Sequence, residues 1–163
     1  MAKTLSEYFA EIAERAAHFD DKVLSHLCKM TALHAHRTKP PLQLRSHAII
    51  GIWDWDVARD LNYLDPDCSR LFGHDPAAGA KGVANATCLS SVHPDDVGQV
   101  SQAIAQAFDG GVFEAEYRIV SGGRVRWVFA RGHCTLDQSK RPERFPGAIF
   151  ELDGPRLYSV HNC

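Results

Sequence analysis

Two apolar-rich runs, Val112 to Val120 and Val125 to Leu136, face each other across Ser121-Gly122-Gly123. Val, Ile, Phe, Tyr and Trp fit a pleated surface, and two consecutive glycines supply the positive-φ residues that a tight hairpin turn demands. The spacing predicts a β-hairpin. By two-residue periodicity Phe113, Ala115, Tyr117 and Ile119 share one face of its first strand, and Glu114, Glu116 and Arg118 share the other. In the second strand Val125, Trp127 and Phe129 fall on one face, and Val128, Ala130 and Cys134 on the opposite one. A strand apolar on both faces is covered on both faces. The hairpin is therefore expected in the middle of a sheet, with a layer packed on each side.

Such layering needs a sizeable core, and 163 residues, 45% of them hydrophobic and 23% charged, suffice for one domain with an appendage. Cys28, Cys68, Cys88, Cys134 and Cys163 are odd in number and lack metal-ligand spacing, and no signal peptide opens the sequence. A reducing, cytoplasmic setting is expected. No apolar run approaches the roughly 20 residues of a membrane helix. The net charge of −2, with Lys and Arg scattered, lacks the basic footprint of a nucleic-acid binder. Neither membrane insertion nor direct contact with nucleic acid is expected.

Thr4-Leu-Ser-Glu7 is a capping-box pattern that starts a helix. Phe9, Ile12, Ala16, Phe19, Val23, Met30 and Leu33 then recur at alternating steps of three and four, with His26 the one polar member of the series. This a/d spacing predicts a long helix from Thr4 to about His36, ended by Lys39-Pro40-Pro41. His26 would place a group that charges near neutral pH in an apolar seam. The chain thus divides into a helical extension over 1–41, a domain over 42–154 and a tail over 155–163.

Within the domain, Ala48 to Val57 reads as a strand in which Trp53, Trp55 and Val57 alternate with Asp54 and Asp56. Ala58-Arg-Asp60 makes a turn into a short strand, Leu61 to Leu64. Asp65-Pro66-Asp67 starts a short helix with a cap, proline in its first turn and an acid near the positive end of the dipole. Residues Asp75 to Ala86 lack periodicity and read as a loop with brief helical turns. His93-Pro94-Asp95-Asp96 repeats the start signal for a helix marked by Val97, Val100, Ile104, Ala107 and Phe108 and ended at Gly110-Gly111. A last strand is expected from Phe145 to Leu152.

Five stretches, in this order and spacing, resemble a PAS domain of the fold-3 type with a Trp-containing first strand. They are Gly51-Ile-Trp-Asp-Trp-Asp56, Ser69-Arg-Leu-Phe-Gly73, Val92-His-Pro-Asp-Asp96, Glu116-Tyr-Arg-Ile119 and Arg126-Trp-Val128. The resemblance covers about Ile49 to Asp153. It implies an α+β fold, a five-stranded antiparallel sheet with short helices on one face, enclosing a small cavity. It also implies a non-catalytic sensory or signal-transduction module that binds a small ligand or a protein partner and dimerises. The long N-terminal helix is expected on the other face of the sheet, with Phe9, Ile12, Ala16, Phe19, Val23, Met30 and Leu33 as homodimer contacts. Members that signal through a C-terminal helix usually end the last strand in Asp-Ile-Thr, where this chain has Glu151-Leu152-Asp153 and then Gly154-Pro155. The N-terminal helix is the better lever, and output would pass to another chain or to an output domain outside this sequence.

No cofactor is expected. Cys88 falls near the position of the flavin-bonding cysteine of some PAS proteins, but Asn85-Ala-Thr-Cys-Leu-Ser90 lacks the Arg and Gln that would follow it. Haem-binding members take an axial His from the longer helix, and Asp95 to Phe108 contains none, leaving His74, His93 and His133 as the remaining imidazoles. His34 and His36 read as a solvated helix end, so no metal is expected. A ligand would be small and apolar or mixed, walled by Ile104, Phe108, Tyr117, Val128 and Ala130. The alternative is a small α+β cone enzyme of the NTF2-like type, an isomerase or dehydratase with Glu114, Glu116 and His133 as acid–base groups. The strand order argues against it, because that fold places its helices before a nearly continuous run of strands.

Overall fold

In a computed structural model, which describes residues 49–152, Gly122 and Gly123 adopt φ of 56° and 73°. That is the two-residue turn the glycines demand. It joins β3 (Val112–Ser121) to β4 (Arg124–His133) in unbroken antiparallel register from Ser121↔Arg124 to Val112↔His133. The N-terminal helix, the dimer positions on it and the tail from 155 lie outside the described residues.

Before the hairpin come β1 (Ile49–Asp56), β2 (Leu61–Leu64), α1 (Pro66–Leu71), α2 (Pro76–Lys81), α3 (Asn85–Leu89) and α4 (Pro94–Ala107). After it come β5 (Thr135–Leu136) and β6 (Pro142–Glu151). Three of the four helices, α1, α2 and α4, start on side-chain caps. The Asp65 carboxylate accepts from the Cys68 N–H at 2.6 Å, and His93 Nδ1 accepts from the Asp95 N–H at 3.3 Å. The stretch expected to be a loop with brief helical turns holds the short helix α2, because Asp75 caps the N–H groups of Ala77 and Ala78 and Pro76 opens the first turn.

The sheet runs β2-β1-β6-β4-β3, antiparallel throughout, with β5 paired to β6. This corrects the expected place of the hairpin: β6 is the central strand and β3 lies at the edge. The free edge of β3 is satisfied by the start of α4 rather than by another strand. Val120 N–H donates to Ser91 O at 2.7 Å, His93 N–H to Arg118 O at 2.8 Å, and Arg118 N–H to the Asp96 carboxylate at 2.8 Å. Covering an edge in this way blocks unwanted strand pairing. The other edge is closed by Val83, which exchanges two hydrogen bonds with Asn62 of β2.

All four helices pack on one face, where Cys68, Leu71, Cys88, Val100 and Ala107 meet Tyr117, Ile119, Val128 and Ile149 in the core. Each large apolar side chain buried there contributes about 1.5–3 kcal/mol. On the opposite face Ile52, Phe129 and Ala148 are also buried. Asp54 is buried beside them and paired with Arg144, whose guanidinium lies 5.8 Å from the Tyr63 ring. Trp127, on a face of the second hairpin strand expected to be covered, is only half-buried there, with the Arg118 guanidinium 5.3 Å from its ring.

Candidate ligand-binding cavity

Strand alternation sends Trp53 and Trp55 of β1 to the helical side of the sheet. Trp53 is paired in register with Gly147 of β6, and Gly147 with Gly132 of β4. The two glycines form a slot for the indole: a Cβ at Gly147 would overlap the ring, and one at Gly132 would stand 3.1 Å from Cζ2. Only a missing side chain lets a tryptophan lie this close to a sheet. Trp55 stacks on Phe145 with ring centres 6.1 Å apart and packs against Phe108 at 5.6 Å, while Phe113 meets Phe145 edge-on at 5.8 Å. Such offset and edge-to-face pairs are the arrangements the ring quadrupoles favour.

Trp53, Trp55, Phe113 and Phe145 line, with Leu64, Val100, Ile104 and Ile149, a half-open cavity of about 60 Å³ between the sheet and the helices. Asn62, Asn85 and Tyr117 bring hydrogen-bonding groups to its wall. Asn62 of β2, only 4% exposed, donates through Nδ2 to Asn85 Oδ1 of α3 at 3.0 Å. Asp60, at the β1–β2 turn, accepts from Trp55 Nε1 at 3.1 Å and from the Asn85 N–H at 3.3 Å, so one carboxylate sets both the indole and the start of α3. Tyr117 of β3 is the third, and burial pushes its hydroxyl pKa well up, so it stays protonated. Cys88 also reaches the wall. Burial, helped by the charge of Asp60, pushes its thiol up to about 12, which leaves it a packed hydrophobe without nucleophilic character.

Of the residues expected to wall a ligand, Ile104 and Tyr117 line the cavity. Phe108 stands behind Trp55, and Val128 and Ala130 are wholly buried under the sheet's inner surface without reaching the opening. Asn62 and Asn85 escaped the sequence reading: they come together across 23 residues, and no local pattern marks the pair. His74, His93 and His133 do not line the cavity, and neither do Glu114 and Glu116. Glu114 pairs with Arg131 at 3.3 Å on the far side of the sheet. The cavity is therefore suited to holding a molecule by packing and hydrogen bonds, and lacks a poised acid–base pair among the described residues.

Comparison with known proteins agrees with this architecture. In the curated relative, the non-motile and phage-resistance protein of Caulobacter vibrioides, 85 residues align at 33% identity. They make up 50% of this chain but 10% of that protein, so the chain spans about a tenth of the relative it matches. The solved structure of a sensory box histidine kinase/response regulator from Burkholderia thailandensis is 26% identical with a TM-score of 0.53, over 63% of this chain and 76% of that one. The N-terminal domain of a diguanylate cyclase with PAS/PAC sensor from Marinobacter aquaeolei, 22% identical, shares the fold with a TM-score of 0.54, over 62% of this chain and 93% of that one. The family model of the PAS fold matches residues 61–149, more than half of the sequence. The chain therefore belongs to the PAS-fold family, whose match begins at Leu61 of β2 and ends at Ile149 of β6.

Proposed function

We propose that this chain is the sensory module of a signalling system, in which a small molecule enters the cavity and the change it causes is passed through the sheet to a homodimer and on to a partner protein. The observation that carries the reading is the half-open cavity itself, walled by rings and offering hydrogen-bonding groups that the protein does not fully use. Interiors pack with few voids larger than a water molecule, so a lined space of this kind is a default binding-site assignment. The resemblance to a sensory box histidine kinase at 26% identity supports a role in signalling.

The dimer contact in this proposal is the N-terminal segment from Thr4 to about His36. Seven of its eight a/d positions are apolar, and a stripe of that kind has to be buried. On the sheet face away from the four helices Ile52, Phe129 and Ala148 are buried, which supports a cover there by the same segment. Light scattering tests it. The full chain is expected as a dimer and a version starting at Leu42 as a monomer; two monomers, or two equally stable dimers, would remove the N-terminal segment from the proposal.

A further inference from the structure

We propose that the cavity takes the alkyl end of a small molecule, a chain of about two to four carbons whose polar, non-anionic head stays at the mouth; this rests on the reading of the cavity as a ligand site. Its size sets the chain length. A volume of about 60 Å³ accommodates about two to four water-sized groups, and a methylene is such a group, whereas a six-membered ring is too large. Burial sets the orientation. Trp53, Asn85, Leu89 and Ile104 are half-buried members of the wall, and the other wall residues are buried. Asn85 and Leu89 share one face of α3 and Ile104 stands on α4, so the mouth opens between these two helices. Among the buried members Leu64, Phe72, Val92, Val100 and Ile149 present only hydrocarbon. An alkyl end meets them, and a head left at the mouth keeps its water.

The head is limited by charge. Neither α3 nor the stretch of α4 from Val97 to Ala107 holds an Asp, Glu, Lys or Arg, and no charged side chain of the described residues lines the cavity. Asp60 is exposed, and its carboxylate accepts from the N–H of Asn85, a lip residue, at 3.3 Å and from Trp55 Nε1 at 3.1 Å. The mouth is thus negative, and no cation among the lining residues offsets it. An anionic head would be repelled by that carboxylate and would lose hydration against an apolar wall. A hydroxyl, an amide or an ammonium at a mouth open to water meets neither cost.

Amide chemical-shift titration of the full chain with ethanol, n-butanol, n-hexanol, cyclohexanol and butanoate, read at Leu89, Ile104 and Tyr117, tests this. At about fourfold per buried methylene, n-butanol is expected to bind roughly tenfold more tightly than ethanol, and n-hexanol less than about threefold more tightly than n-butanol, because its outer carbons stay in water. Cyclohexanol, which overfills the space, and butanoate, which brings an anion, should each bind more than about tenfold more weakly than n-butanol. Ile104→Trp, which fills the mouth, should lower the n-butanol affinity by more than about tenfold. An unbroken rise to n-hexanol, cyclohexanol or butanoate binding as tightly as n-butanol, or unchanged n-butanol binding in Ile104→Trp would overturn the inference and leave the cavity as a ligand site of another kind. If none of the probes gives a saturable shift, the ligand-site reading falls and the inference with it. Should Ile104→Trp fail to fold, the ranking of the probes on the unaltered chain decides.

Discussion

Arg118 grips both carboxylate oxygens of Asp96, with Nη2 2.7 Å from Oδ1 and Nε 2.9 Å from Oδ2. One residue sits on the edge strand β3 and the other in the first turn of α4, so a single bidentate pair fastens the helical layer to the sheet's margin. The Arg118 backbone N–H adds a third bond to the same carboxylate. Through its contact with Trp127 the guanidinium also reaches the opposite face.

Asp96→Asn should therefore destabilise the fold by about 1.5–3 kcal/mol, the range for hydrogen bonds to charged groups. Urea denaturation measures it. The pH dependence has a definite sign. Hydrogen bonding from Arg118 holds the Asp96 carboxyl below its ordinary value, outweighing partial burial, which acts the other way. A folded-state value below the unfolded one means stability that is present above about pH 4 and lost as pH falls through the folded value. Part of the acid-induced loss should vanish in Asp96→Asn.

Gly147→Ala should push the Trp53 ring out of its slot, because the added methyl occupies the space of the indole. Overpacking of this kind costs about 1–3 kcal/mol. Denaturation together with a shifted tryptophan emission maximum would register both effects; an unchanged spectrum would place the ring elsewhere.

Much of this fold could be read from local chemistry. Asp65-Pro66 and His93-Pro94 start helices through bonds to residues two or three positions on, and Gly122-Gly123 sets its turn by dihedral preference alone. What depended on distant residues was harder. A β4 that is apolar on both faces reads as mid-sheet, yet the charged outer face of β3, Glu114, Glu116 and Arg118, belongs to a margin strand. The start of α2 carried an Asp-Pro cap, but Ala and Gly gave it no periodicity. Of the five wall candidates that the sequence offers, only Ile104 and Tyr117 line the cavity, because periodicity groups residues on a face without saying where the cavity opens, and Asn62 and Asn85 meet only through the tertiary fold.

Cys88 should resist alkylation in the native state. With its thiol pushed up to about 12, almost none is thiolate at pH 8. Iodoacetamide labelling followed by mass spectrometry is expected to leave Cys88 unmodified until denaturant is added. Rapid native labelling would mean an activated thiol in the cavity wall.

Phe145→Ala should cost about 3–5 kcal/mol, since this ring is 2% exposed and touches Trp55, Phe108 and Phe113. Trp127→Ala should cost less, because that ring is half-buried and its neighbour Arg118 keeps Asp96. Parallel denaturation of the two variants checks the order.

The most direct measurement is an amide chemical-shift titration of the full chain with a panel of small neutral molecules. A sensory cavity predicts that at least one of them moves the resonances of Asn62, Ile104 and Tyr117 together, three residues brought to one wall by β2, α4 and β3. Shifts confined to exposed positions such as Val120 and Val125, or no saturable shift at all, would contradict it.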